Sequence, residues 1–240
     1  MLPSDFTLVH GIAIGLVLLS WLAYSWILSL LGHGTLNSQL AVVRRHWVMA
    51  MTRREAKPFD AVLFGHIVHS VAFFGSATLI VLAGVITVFT RLGDLHKTLS
   101  NLHFLSHSSI ELFALQFGFF TVVLIVCFFS FTYSLRKLVY AIALVGALPE
   151  HSRNVPTHDA LVGHATTVLS EALKTFNFGI RGYYYAVASL FLFVSPYVSI
   201  LVTLFVTVTL IYRQVATSTS RAIVGYVDAA KSIDLDSDGR

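Results

Sequence analysis

Of 240 residues, 56% are hydrophobic and only 12% are charged, about half the share of roughly 25% that a soluble domain carries. The net charge of +4 is not gathered into a basic patch interleaved with aromatics, so the sequence argues against nucleic-acid binding. The single cysteine, Cys127, leaves no intrachain disulfide and no thiolate metal cage to build.

Four long runs lack Asp, Glu, Lys and Arg: 6–43, 61–90, 112–135 and 182–212. Each exceeds the roughly 18 residues that make a spanning helix plausible. The expected fold is an all-α polytopic membrane helical bundle, a single integral membrane domain over 1–240. It would hold four transmembrane helices, at about 7–32, 60–91, 109–146 and 181–214, with short interfacial amphipathic helices between them. The opening MLPSDF lacks a basic n-region, and the apolar run behind it is too long for a signal peptide.

In chain order, Trp21, Tyr24 and Trp26 suit the headgroup level of span one, and Gly32-His33-Gly34 would end or bend it. Pro58 suits the first turn of span two, where its missing N–H is harmless. Gly65, Gly75 and Ser76 then allow close helix approach. Leu95, Leu99, Leu102 and Leu105 recur near helical spacing and predict a short interfacial helix. Ser108 with Glu111 forms a capping box for span three, which runs past Arg136-Lys137 until Pro149. Apolar residues at 161, 165, 168, 169, 172, 173 and 176 make the stripe of an amphipathic helix, with Asp159 as its cap. Tyr183, Tyr184 and Tyr185 open span four, Pro196 should kink it near its middle, and the acidic tail, 223–240, is expected to fray.

Ten of the basic residues lie in or beside the segments joining spans one to two and three to four, against six elsewhere. This bias places those segments in the cytoplasm and both termini outside, in a bacterial inner membrane. RRHW and TRREAK would meet anionic lipids, although insertion alone accounts for the same residues.

Three constellations could carry chemistry. His66 and His69, three apart on one helix face, could ligate a cofactor such as haem, relay protons, or be buried histidines hydrogen-bonded to neighbours. Haem needs a second ligand, and no other span offers a mid-membrane histidine. His96, His103 and His107 fall on one side of an ideal helix, and with His10 they form a candidate divalent-metal site; a polar face toward water is the plainer reading. Arg136 could snorkel to headgroups, pair with Asp60 as an interfacial anchor, or contact an anionic substrate. No hydrolase, Walker or dinucleotide motif occurs, so an enzyme is not expected.

RRHWVMAMTRRE, SVAFFGSATLIVLAG, FSFTYSLRKLVYAIALVGALP and FNFGIRGYYYAVASLFLFVSPYVSILVTLFVTVTLIYRQ, in this order, resemble the bacterial and plant membrane proteins of the domain of unknown function 599 family. The resemblance implies a four-span helical membrane protein with no assigned activity and carries no catalytic residue across. It also implies small polar residues such as Asn and Ser at positions 66 and 69, from which the two histidines depart. The leading functional expectation is a non-enzymatic component that packs in a homo- or hetero-oligomeric membrane complex. A transporter or channel with a polar path at His66, His69 and Arg136 is the rival, and a haem or metal protein the third.

Overall fold

The computed structural model describes residues 3–30, 36–54, 58–100, 109–150 and 157–238, with the backbone alone at 99–100 and 233–238. Among these residues every regular element is a helix: α1 (Leu8–Leu22), α2 (Tyr24–Leu30), α3 (Leu36–Arg53), α4 (Pro58–Phe89), α5 (Leu92–Ser100), α6 (Ile110–Gly146), α7 (His158–Leu190), α8 (Pro196–Val215) and α9 (Ser218–Asp238). Pro58–Phe89, Ile110–Gly146 and Pro196–Ser232 are long and apolar enough to cross a membrane, and α1 with α2 adds a fourth if the bent pair is one span. The chain is an all-α polytopic membrane protein.

Local chemistry explains the helix starts. Pro58 stands at the first position of α4, and Asp60 lies in that first turn, where the helix dipole favours a carboxylate. Ser109 caps α6 by accepting from the Leu112 N–H at 3.1 Å. The cap lies one residue beyond the expected Ser108, which is outside the described residues, as are Gly32-His33-Gly34, Leu102 and Leu105. At α1, His10 Nδ1 accepts from the Thr7 N–H at 3.2 Å, taking the reach-back role that Glu or Gln plays in a capping box.

Several expected boundaries are corrected. The first span turns by 70° at Ala23, between α1 and α2. Within the chain Trp21 and Tyr24 are buried, whereas Trp26 is exposed. The stripe at 161–176 does not stop before a separate span at 181 but continues in α7 to Leu190. A single 3-10 turn over Phe191–Phe193 follows, and Pro196 opens α8 rather than kinking a continuous helix. Asp159 lies inside the first turn of α7, not at its cap. The tail expected to fray forms α9, because Ser220, Ile223, Val227 and Ala230 share one helix face and Val227 is fully buried.

Contacts divide the chain into two compact units, Met1–Ile27 with Phe74–Ser130 and Phe178–Leu210, and Leu28–Phe73 with Phe131–Asn177 and Ile211–Arg240. In the first, Trp21 Nε1 donates to the Phe178 carbonyl at 3.1 Å while the two rings stack at 4.9 Å. Gly182 faces Trp21 and Cys127 so closely that a Cβ there would lie 2.6 Å from the indole and nearer still to the thiol sulfur. The Tyr185 hydroxyl reaches the Ser20 carbonyl and Thr207 Oγ1, and Ser199 Oγ donates to the Ala188 carbonyl, which ties α8 back onto α7. In the second unit α9 packs on α3, Ser134 Oγ donates to the Ala172 carbonyl at 2.7 Å, and Lys137 Nζ donates to Thr175 Oγ1 at 2.9 Å.

Candidate functional site

Asp60 is the centre of the best-defined polar site in the second unit. It is 1% exposed, yet it carries a carboxylate, so burial must be offset by donors. Two come from α3 and its end: Trp47 Nε1 donates to Oδ1 at 2.8 Å, and Arg54 Nη1 donates to the same oxygen at 2.9 Å. Oδ2 has no hydrogen-bond partner among the described residues. The Trp47 ring stacks on Phe64 at 5.0 Å, which holds the indole over the start of α4.

Beside Asp60 lies a cavity of about 460 Å³, bounded by Met51, Thr52 and the first turns of α4 on one side and the end of α6 through Glu150 on the other. Apolar side chains dominate it, with Asp60, Thr52 and Glu150 as the polar members. A few convergent polar groups in an apolar concavity of this size is the usual composition of a small-ligand site.

Deeper along α4, His66 and His69 are both exposed on the isolated chain, next to exposed Ser70 and Phe73. They do not line the cavity. Positions 61, 64, 65 and 68 face it, and 66, 69, 70 and 73 lie about 140° away around the helix. Ser70 Oγ donates to the His66 carbonyl at 2.9 Å, a local bond within the helix. The expected burial of the two imidazoles therefore does not occur within the chain.

The sequence pattern of one protein family, described as "Protein of unknown function, DUF599", matches residues 12–219. The chain belongs to the DUF599 family. No curated protein and no solved structure matches it.

In this DUF599 chain the remaining candidates are scattered. Arg136 is exposed and donates from Nε to the Tyr140 hydroxyl at 2.5 Å, one turn along its own helix, so the pairing with Asp60 does not form; Arg54 has that place. His96 packs its ring on Phe113 at 5.3 Å, and His10 serves the start of α1. His103 and His107 lie outside the described residues, and among those described no three His, Cys, Asp or Glu side chains gather to hold a metal.

Sequence reading missed α3, and with it the groups that surround Asp60. Arg44 is 7% exposed, donating from Nε to Ser170 Oγ at 2.9 Å and from Nη2 to the Asn37 carbonyl at 2.7 Å. Burial lowers its pKa, as expected for a guanidinium held away from water. The missed signal was the spacing of Leu40, Val43, Arg44, Trp47, Val48 and Met51, an amphipathic stripe in which one arginine sits on the covered face.

Proposed function

We propose that this DUF599 protein is a non-enzymatic membrane component that works by association, joining a homo- or hetero-oligomeric complex through the outer face of α4. The carrying observation is the exposed row His66, His69, Ser70 and Phe73 on a spanning helix.

The argument is one of depth. Thirty-two residues make α4 about 48 Å long. A hydrocarbon core of about 30 Å leaves roughly six residues beyond it at each end when the helix is centred. Hydrocarbon then begins near Phe64, so His66 and His69 stand inside it rather than among the headgroups. Imidazoles facing lipid cost free energy, and an interhelical hydrogen bond recovers about 0.6–2 kcal/mol. A partner helix would supply what the described residues do not. Basic residues concentrated in 44–57 and 136–181 support an inner-membrane setting with those segments toward the cytoplasm.

Disulfide trapping of Ser70→Cys in native membranes tests the reading. Cys127 is buried and stays silent. A trapped species of twice the chain mass identifies a second copy, and one of another mass an accessory role beside a different protein. If Ser70→Cys traps no more than Tyr197→Cys, an exposed position remote in sequence, the face is lipid-facing and the proposal is wrong.

A further inference from the structure

Away from the α4 row and the Asp60 cavity, Arg181 on α7 is a cation in search of a counter-charge. Its neighbour Gly182 packs against Cys127, inside the charge-free run 112–135 of α6, so Arg181 belongs to the membrane-crossing part of the first unit. A guanidinium stays protonated, and a charge at such a place needs an anion or water. The acidic residues of this unit are Asp5, Asp94 and Glu111, and all three gather at the start of α6. Asp5 is bonded to Ser109, Glu111 lies in the first turn of α6, and Asp94 follows Gly93, which faces Ile110. From Glu111 to Cys127 is about 24 Å along the helix, too far for a pair with Arg181. The parts of the unit outside the described residues contain no Asp or Glu, and among the described residues no other carboxylate pairs with Arg181.

The guanidinium is held in place with its donors turned outward. It lies over the Tyr24 ring, 4.7 Å from the centroid, a cation–π contact that fixes its plane. Nε is enclosed and has no partner among the described residues. Nη1 and Nη2 make no hydrogen bond among the described residues either, and they form the open end of a partly exposed side chain. Tyr184, one turn along α7, is 39% exposed, so this side of the helix meets the surroundings of the bundle.

On the surface of a membrane-crossing bundle, the bilayer itself supplies an anion. Arginine offers a phosphate two parallel N–H donors, and its long stem leans toward the helix N-terminus and snorkels toward headgroups. The elbow that carries Tyr24 agrees with this. α1 gives way to α2 by a 70° bend at Ala23, and Trp26, 67% exposed, is an indole of the kind that settles among headgroups. A lone positive charge selects a headgroup of net negative charge, because the ammonium of a zwitterionic lipid already balances its own phosphate. We propose that Arg181, resting on the Tyr24 ring, binds the phosphate of an anionic phospholipid. The site shares no residue with the α4 row, so either reading can fail alone.

Native mass spectrometry of the full chain, extracted from mixed phosphatidylglycerol and phosphatidylcholine bilayers, provides the test. The wild type should retain phosphatidylglycerol over phosphatidylcholine by about fivefold or more, and Arg181→Leu should lose that preference. Arg136→Leu removes the same charge from an exposed residue and should keep it. Arg181→Lys, which keeps the charge and loses the planar fork, should weaken retention several-fold and guards against a leucine variant that fails to fold. Thermal midpoints in phosphatidylcholine nanodiscs give a second readout. Added phosphatidylglycerol should raise the midpoint of the wild type and leave that of Arg181→Leu unchanged. Inorganic phosphate separates the lipid from a free anion: a midpoint that responds to phosphate and not to phosphatidylglycerol overturns the lipid. Equal losses of preference in Arg181→Leu and Arg136→Leu, or wild-type retention in both Arg181→Leu and Arg181→Lys, overturn the site.

Discussion

Gln116 on α6 shows how one residue can work against its own fold. It is 1% exposed, and neither its amide nitrogen nor its amide oxygen has a hydrogen-bond partner among the described residues. A buried unsatisfied amide costs about 1–3 kcal/mol, whereas an apolar side chain of similar size carries no such penalty. Gln116→Leu is therefore expected to stabilise the protein by about that amount, read as a raised thermal midpoint in detergent; a lowered midpoint would mean that the amide has a partner in the membrane. Gly182 is the opposite case. Its missing Cβ is the reason Trp21 and Cys127 can close over α7, and Gly182→Ala should cost about 1–3 kcal/mol by overpacking. Pairing it with Cys127→Ala should recover part of the loss, since the two changes share one space. Neither residue was legible in the sequence, where Gln116 reads as one polar letter in an apolar run and Gly182 as the first residue of the last charge-free run, beside Arg181.

At the scale of elements, what the sequence made readable was the long charge-free helix. α4 and α6 stand close to where their apolar runs and Pro58 put them. What it concealed were helices whose buried stripe is diluted by charge. α3 read as a basic connection because Arg44, Arg45, Arg53 and Arg54 dominate it, yet Val48 is fully buried and Arg44 nearly so. α9 read as a frayed acidic tail although its apolar residues recur every three to four positions. Pro196 was legible as a disruption but not as a helix start, because sequence alone does not say whether the chain resumes its course or folds back. Two element ends are coupled in a way that pH can probe. Asp5 accepts from the Ser109 N–H at 2.6 Å and from its hydroxyl at 2.7 Å, joining the residues before α1 to the cap of α6. The backbone donor first, then the hydroxyl, lowers the Asp5 pKa against the opposing effect of burial. A carboxylate with a depressed folded-state pKa stabilises fully above its unfolded value, near 3.8, and loses that contribution as pH falls through the folded value. Hydrogen exchange at the start of α6 is thus expected to accelerate below about pH 4, an effect that Asp5→Asn should remove. An exchange rate that follows the same pH course in both proteins would separate the cap from the carboxylate. The contribution is small, since Asp5 is only partly buried and solvent screens it.

For the whole molecule, membrane residence and an all-helical fold follow from composition and periodicity, and the long apolar helices of the structure agree with them. The candidate sites were less legible, for a physical reason. A histidine in a span can be buried or exposed with the same periodicity, and only packing tells which; His66 and His69 proved to face outward, away from the cavity that the same helix lines. Asp60 was picked out by its place at the edge of a span, but its partners, Trp47 and Arg54, come from the helix that charge had disguised. The exposed row on α4 and the cavity beside Asp60 are separate features of one helix, and the proposed association rests on the first. The particle mass of the full chain, extracted in native nanodiscs without detergent and compared with a His66→Leu, His69→Leu double variant, tests that claim most directly. The wild type should appear as a particle containing more than one protein chain, and the variant, its outer face now matched to lipid, as a single chain. A single chain in both, or an unchanged complex in the variant, would contradict it.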